Sequence, residues 1–178
     1  MKRSKSIALV MMGAGSLLLT ACEEPTVEAR VYDGIGQCLD DPAMDAAACE
    51  ENFRAAQQQH AAVAPKYNDQ AACEADFGAD QCEPAPYRTE GGGSVFMPLM
   101  MGYMMGSMMG RSSVAAQPLY RSADDPKAYR TADNRNVGAA TGKTTVARSA
   151  AASPAAKPYT VSRGGFGASA RTLGAASG

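Results

Sequence analysis

The sequence predicts a small α+β domain stapled by disulfides, followed by a helix-prone apolar segment and a largely disordered C-terminal tail. Three observations support this fold class. Apolar residues recur at helical spacing in residues 42–64 and 69–78. Four of the five cysteines lie in the same region, and the composition changes from acidic to Gly/Ala/Ser-rich after residue 90. The domain is expected to be mostly helical, with one or two short strands.

The first 22 residues have the three-part pattern of a secretory signal peptide. Lys2, Arg3 and Lys5 form a basic start, residues 7–19 form an uncharged apolar run, and small residues follow. The apolar run is shorter than the roughly 20 residues that a membrane-spanning helix needs. We therefore interpret residues 1–22 as a leader and not as a transmembrane helix.

The leader ends in Leu19-Thr20-Ala21-Cys22, which resembles the lipobox of bacterial lipoproteins. By that resemblance Cys22 receives a diacylglycerol and becomes the acylated mature N-terminus. Several acyl chains, each contributing about 0.8 kcal/mol per buried methylene, would anchor the protein to a membrane. Glu23 follows the cysteine, and among sorted lipoproteins Glu rather than Asp at this position favours the periplasmic face of the outer membrane. The alternative is a soluble secreted protein with an incidental cysteine.

Charge divides the rest of the sequence into two parts. Residues 23–90 carry 15 acidic and 4 basic residues, whereas residues 91–178 carry 3 acidic and 10 basic residues. We therefore expect an acidic four-Cys head over residues 23–90, an apolar segment over residues 91–110 and a basic low-complexity tail over residues 111–178. The basic tail either keeps the protein soluble or contacts anionic envelope polymers. No nucleic-acid partner is expected.

The head is expected to begin with a strand and to continue with a long helix. Residues 26–32 alternate between polar and apolar side chains, which is typical of a half-buried strand. Asp41 and Pro42 are suitable residues for the start of a helix, and the helical period continues through residues 42–64. Pro65 ends this helix.

A second, shorter helix is expected to follow. It begins at Asn68 or Asp69, both of which are suitable N-caps, and it stops at Gly78. Cys73 and Phe77 lie four residues apart on it and share one face. A head of this size is too small to be comfortably stable through burial alone.

Four cysteines in the head remain after lipidation of Cys22: Cys38, Cys49, Cys73 and Cys82. In an oxidising periplasm they should form disulfides, and three connectivities are open. We favour Cys38–Cys49 and Cys73–Cys82, because each closes a short loop at a helix and adds about 2.5–3 kcal/mol through loop entropy. A zinc site is the alternative, but the spacing contains no C-x-x-C pair.

Residues 91–110 contain a Gly-rich hinge and an uncharged Met/Gly-rich run. If residues 95–110 are helical, they carry a broad methionine stripe on one face and a small-residue stripe on the other. The small-residue stripe and its neighbouring tyrosine are candidate contacts for an envelope partner or a second copy, namely Gly102, Gly106, Gly110 and Tyr103. The stripe of methionines consists of Met97, Met100, Met101, Met104, Met105, Met108 and Met109.

The methionine stripe also suggests an alternative function. Thioether sulfur is a soft ligand that suits Cu(I) and Ag(I), so these side chains predict a periplasmic binder of those ions if they gather on one helix face. An apolar docking helix explains the same pattern without a metal, and we prefer that interpretation.

The tail is expected to be mostly disordered. Val, Leu and Phe contribute only 7 of the 68 residues in 111–178. A segment with so few large apolar side chains is not expected to bury a core of its own.

These features together resemble the YgiB-type family of uncharacterised bacterial exported proteins. The resemblance rests on the lipobox-ended leader, the acidic four-Cys head and several short motifs over nearly the whole chain. The motifs are Met97-Pro98-Leu99-Met100 with Gly102-Tyr103-Met104-Met105-Gly106, then Gln117-Pro118-Leu119-Tyr120, and finally Thr160-Val161-Ser162-Arg163-Gly164-Gly165-Phe166-Gly167. The resemblance supports an exported location and implies no activity, cofactor or catalytic residue.

The sequence therefore predicts a non-enzymatic lipoprotein of the bacterial envelope, anchored through Cys22, with a structural or interaction role in the periplasm. We expect no cofactor and no catalytic residue. An enzyme is the less favoured class because the chain has one histidine, His60. It lies in the middle of the predicted long helix with no recognisable partner.

Overall fold

The structure is a computed structural model that describes residues 24–89, 91–106 and 116–156. The helices in these ranges are α1 (Ile35–Leu39), α2 (Ala46–Val63), α3 (Gln70–Phe77) and α4 (Arg148–Ala151). The strands are β1 (Thr26–Tyr32), β2 (Cys82–Arg88), β3 (Ser94–Pro98), β4 (Gly102–Gly106), β5 (Gln117–Ser122), β6 (Asp125–Arg130), β7 (Asn136–Gly138) and β8 (Gly142–Ala147).

Six of the strands form one antiparallel sheet in the order β7-β6-β5-β4-β1-β8. The edge strands β7 and β8 come close to each other, so the sheet curls until it is nearly closed. Strands β2 and β3 form a separate two-stranded antiparallel sheet. The fold is therefore mostly β, with the longer helices packed outside the curled sheet.

Strand β1 lies between two partners that come from later parts of the chain. Val31 is paired with Met104 of β4 on one side and with Gly142 of β8 on the other. The predicted strand over residues 26–32 is confirmed. Because β1 joins β4 and β8 in one sheet, the acidic head, the Met/Gly-rich segment and the basic tail share one core.

Alternation of side chains along the strands gives the curled sheet an apolar interior. The buried residues there are Ala29, Val31, Met104, Leu119, Tyr129, Val137 and Val146, and α4 adds Ala150 and Ala151. Successive residues of a strand point to opposite faces, so their neighbours Tyr32, Tyr103, Met105 and Tyr120 lie on the outer face. Helices α1, α2 and α3 cover this outer face.

The long helices begin at aspartate caps. Asp45 caps α2 by accepting a hydrogen bond from the Ala48 amide, and Asp69 caps α3 by accepting one from the Ala72 amide. The predicted second helix is confirmed: its N-cap is Asp69, one of the two predicted starts, and it stops at Gly78. The long helix begins four residues later than the predicted Asp41 start. No helix in the described ranges is long and apolar enough to cross a membrane.

The predicted fold class, a mostly helical α+β head with one or two short strands, is wrong, because the described residues are mostly β and form eight strands. The clearest difference lies in the Met/Gly-rich segment. Residues 94–98 and 102–106 form β3 and β4 and not a helix. Strand β4 is completed by backbone hydrogen bonding to both β1 and β5, and its residues are all buried. Tertiary pairing therefore overrides the helical spacing of the methionines. Met104 and Met105 consequently lie on opposite faces of the sheet and not on one stripe.

The predicted disorder of the tail is wrong for residues 116–156. This part of the chain supplies β5, β6, β7 and β8, which are four of the six strands of the main sheet. Its core side chains include tyrosines and alanines, among them Tyr120, Tyr129 and Ala128. Small and aromatic side chains thus fill the core of this region in place of Val, Leu and Phe. Residues 157–178 lie outside the described part of the chain.

Candidate functional site

The histidine of α2 lies in a polar cluster between α2, β5 and β2, which is buried except at Glu83, whose side chain is 45% exposed. His60 is 8% exposed, and its Nδ1 is 2.9 Å from the hydroxyl oxygen of Tyr120. Its Nε2 is 3.7 Å from Oε1 of Glu83 and has no hydrogen-bond partner in the described residues. The imidazole therefore has one satisfied nitrogen and one nitrogen that faces a carboxylate across a gap. We call His60, Tyr120 and Glu83 the His60 cluster.

Three elements position the His60 cluster. His60 lies on the buried face of α2 that also carries Cys49, Ala56 and Val63. Tyr120 is on the outer face of β5, next in sequence to the inward-facing Leu119. Glu83 follows Cys82, whose disulfide to Cys73 ties the start of β2 to α3.

Electrostatics keep the imidazole neutral. Burial, with a smaller contribution from the nearby Lys66 ammonium, lowers the pKa of His60 to about 4. Lys66 is itself buried and donates to the backbone carbonyls of Ala62 and Ala64. Burial also raises the pKa of Tyr120 well above its usual value, with a smaller contribution from Tyr87. At neutral pH the cluster therefore contains a neutral histidine and a protonated tyrosine.

A second buried bond supports the cluster from α3. The Tyr67 hydroxyl donates to Oδ2 of Asp76 over 2.8 Å, and burial followed by this bond raises the pKa of Tyr67. The Phe77 ring packs edge-on against both Tyr67 and Tyr120, with centroids 6.1 Å and 6.2 Å away. The aromatic side chains thus connect α3 to the outer face of β5.

A separate polar cluster joins β1 to the turn after α1. Asp41 accepts hydrogen bonds from Arg30 Nη1 at 2.6 Å and from the Tyr32 hydroxyl at 2.7 Å. It also accepts one from the Ala43 amide, and this bond and the Tyr32 bond lower the pKa of Asp41. Asp41, predicted as a helix cap, instead fixes this turn against β1.

Tyr103 packs beside Tyr32 but differs from it in hydrogen bonding. The ring centroids are 5.7 Å apart, yet the buried Tyr103 hydroxyl has no partner in the described residues. Burial raises the pKa of Tyr103 to about 12, with Tyr32 as a smaller cause. Two neighbouring tyrosines therefore differ in whether their hydroxyl groups stabilise the fold.

Replacing these two tyrosines separately should have opposite effects. Tyr32→Phe loses a bond to a carboxylate and should lower the free energy of unfolding by about 1–2 kcal/mol. Tyr103→Phe removes an unpaired buried hydroxyl and should leave stability unchanged or raise it by about 1 kcal/mol. Urea unfolding of the two variants measures both effects. A Tyr103→Phe loss as large as that of Tyr32→Phe would show that the Tyr103 hydroxyl is satisfied in solution.

The predicted disulfides are present. Cys38 is bonded to Cys49 and Cys73 to Cys82, with Cα atoms 5.8 Å and 6.2 Å apart. The first bridge joins α1 to α2, and the second joins α3 to β2. This is the connectivity that the sequence favoured. The predicted lipidation site, Cys22, lies outside the described residues.

The candidate interaction and metal residues that the structure describes lie in the core or next to it. Gly102, Tyr103 and Gly106 are buried in β4. Met97 is buried in β3, and Met100 and Met101 are half-buried between β3 and β4. Gly110, Met108 and Met109 lie outside the described part of the chain. In that described part, no three or more His, Cys, Asp and Glu side chains gather in a way suited to a metal ion.

Sequence reasoning missed the partners of His60. Tyr120 is 60 residues away in sequence, and it lies in a part of the chain that was expected to be disordered. The sequence gives little signal of this strand, because Gln117-Pro118-Leu119-Tyr120 does not alternate between polar and apolar residues. Glu83 gives no signal either, because its contact with His60 depends on how β2 packs against α2.

Comparison with known proteins places the domain in a family. A family model described as "Protein of unknown function (DUF1190)" matches residues 26–176. The chain belongs to the DUF1190 family. The match begins at β1 and spans both disulfides and every strand of the sheet. The resemblance to the YgiB-type family that the sequence motifs indicated is confirmed.

Curated relatives of this DUF1190 protein are similar over most of its length. A UPF0441 protein of Erwinia tasmaniensis is 36% identical over 168 residues, covering 85% of this chain and 75% of that protein. A UPF0441 protein of Sodalis glossinidius is 35% identical over 178 residues, covering 93% and 82%. One from Yersinia pseudotuberculosis is 35% identical over 189 residues, covering 94% and 82%. No solved structure matches the chain.

Proposed function

We propose that this DUF1190 protein is a non-enzymatic envelope lipoprotein, anchored through Cys22 on the periplasmic face of the outer membrane. Its folded domain has a structural or binding role there. The observation that supports this most is the pair of disulfides in the domain, Cys38–Cys49 and Cys73–Cys82. Such bridges persist in oxidising compartments and are rare in reducing ones. The leader that ends at Cys22 is the independent argument from the sequence.

The burial of His60 and Tyr120 supports a non-enzymatic role. A general acid or base must come within hydrogen-bond reach of its substrate. Tyr120 is 0% exposed, and its hydroxyl is bonded to His60, which is itself buried. The cluster therefore serves the packing of α2 against the sheet better than it serves a reaction.

The proposed contacts with the envelope involve the exposed surface. Gly102 and Gly106 are buried in β4, so an envelope partner or a second copy would bind elsewhere on the domain. Cations on the described part of the tail, such as Lys127, Arg135 and Arg148, are exposed. We place the contact with anionic envelope polymers there.

The strand geometry gives no support to the Cu(I)/Ag(I) alternative. Such a site needs several thioether sulfurs directed at one point. Met104 and Met105 belong to two separate apolar clusters on opposite faces of β4. The one-face stripe on which that proposal depended is therefore absent from β4.

Replacing the lipidation residue tests the anchoring proposal. We expect the Cys22→Ala chain to incorporate no labelled palmitate and either to move to the soluble periplasmic fraction or to accumulate as an unprocessed precursor. Metabolic labelling followed by membrane fractionation measures both results. Ser16→Ala, which changes the leader but keeps Leu19-Thr20-Ala21-Cys22, should behave like the wild type.

A matched variant tests the choice of membrane. Glu23→Asp keeps the charge after the cysteine and should move the lipidated protein to the inner membrane in a density gradient. Palmitate incorporation should stay at the wild-type level. If Cys22→Ala keeps both its label and its outer-membrane fractionation, the anchoring proposal is wrong.

A further inference from the structure

The His60 cluster places a proton-binding imidazole against a fully buried hydroxyl. We infer that His60 is the trigger of an acid-release contact: a proton taken up by its imidazole leaves the Tyr120 hydroxyl without an acceptor and loosens α2 from β5. The geometry that carries this inference is the 2.9 Å contact between Nδ1 and the hydroxyl, together with the unpaired Nε2.

At neutral pH the bond between His60 and Tyr120 has a defined direction. The Tyr120 hydroxyl has no acceptor besides His60 Nδ1 in the described residues. It therefore donates to Nδ1, since a buried donor without an acceptor is costly. The imidazole proton is then on Nε2, which points toward Glu83 across 3.7 Å.

Protonation of His60 places a donor hydrogen on each side of the contact with Tyr120. Both ring nitrogens of a protonated histidine are donors, so Nδ1–H and the Tyr120 O–H point at each other. The hydroxyl must then turn away from its acceptor while it is fully buried. Water can satisfy it only if α2 and β5 separate, and that separation is the release.

The charged groups around His60 set the pH at which release occurs. Lys66, which follows α2, disfavours a second positive charge, whereas Glu83 on β2 favours one. Tyr87 lies on β2, Tyr120 on β5 keeps its proton because burial raises its pKa, and Asp76 on α3 accepts a hydrogen bond from Tyr67. Burial has the largest effect, and together with Lys66 it holds the pKa of His60 at about 4 in the folded protein.

The sign of the pH effect follows from this arrangement. The pKa of His60 is lower in the folded protein than its usual value of 6.5. The unfolded or released state therefore binds more protons, so the closed contact loses stability as the pH falls from about 6.5 toward about 4. Above this range the contact keeps its full stability.

The wild-type chain permits a direct test because it contains one histidine. We would follow the imidazole nitrogens of the purified full chain by NMR, and the amide exchange of α2 and β5, from pH 7 to pH 4. We expect titration near pH 4 and a loss of protection in α2 that precedes any loss in the β1–β8 pair. Titration near pH 6.5, or simultaneous loss of protection everywhere, would overturn the inference.

Two variants test whether protonation of His60 against the Tyr120 hydroxyl, and not burial alone, causes the acid response. His60→Asn offers a side-chain oxygen near the position of Nδ1 but takes up no proton, so α2 should lose its acid response. Tyr120→Phe removes the conflicting hydroxyl and should strengthen proton binding by His60 on the order of tenfold, one pKa unit. An acid response that persists in His60→Asn, or an unchanged His60 pKa in Tyr120→Phe, would show that Tyr120 has no part in release.

Discussion

Replacing all four bridging cysteines by alanine should lower the free energy of unfolding by about 5–6 kcal/mol. The bridges close loops with sequence separations of 11 and 9 residues, and each contributes about 2.5–3 kcal/mol by restricting the unfolded chain. Domains of this size are commonly stable by about 5–15 kcal/mol. We therefore expect the chain without disulfides to be largely unfolded at 37 °C.

Paired variants separate the two bridges. We would compare Cys38→Ala/Cys49→Ala with Cys73→Ala/Cys82→Ala by thermal unfolding, each with and without reductant. Each paired variant should lose about half of the stabilisation of about 5–6 kcal/mol that the two bridges provide, and reductant should remove the other half. Cys73→Ala/Cys82→Ala should also disturb the packing of α3 against β2, because the lost bridge joins them. Equal melting temperatures for the oxidised and reduced wild type would show that burial alone holds the fold.

Replacing Gly102 by valine should cost about 3 kcal/mol or more. A Cβ at this position would lie 2.6 Å from the backbone oxygen of Tyr32 and 3.1 Å from Cε1 of Tyr129. The first atom belongs to the neighbouring strand β1, so relief requires β1 and β4 to move apart. The close approach of these two strands therefore excludes a side chain at residue 102.

Gly36→Ala is the matched control for this substitution. Gly36 lies in α1, and a Cβ there meets no atom within 4 Å. Alanine should stabilise that helix by up to about 1 kcal/mol. Urea unfolding of both variants gives the comparison. If Gly102→Val unfolds at the wild-type urea concentration, the packing of β4 against β1 is looser than the structure describes.

The sequence was informative about the head because its signals are local. Asp69 and Gly78 delimit α3 as expected, since a cap and a stop each act within a few residues. The alternation in residues 26–32 identified β1, and the short loops between cysteines favoured the observed bridges. These features depend little on the rest of the chain.

The rest of the sheet depends on contacts between distant residues. Strand β4 has only five residues, too few for an alternating pattern to prevail over the helical spacing of its methionines. Val, Leu and Phe are scarce in the tail, whereas β5 and β6 bury Tyr120 and Tyr129. Tyrosine is amphipathic, so its number in a segment does not reveal whether it faces a core.

The position of β1 also bears on the order in which the molecule can be assembled. Residues 26–31 pair with residues 142–147. Of the strands in the described ranges, the first to leave the ribosome therefore pairs with the last to do so. Such pairings raise the contact order and slow folding, because the entropy cost of closing a long loop comes before any stabilising contact forms. Until then β1 has open edges that can pair with another chain. A chain truncated before residue 142 would keep one edge of β1 open permanently, and its expected fate is aggregation.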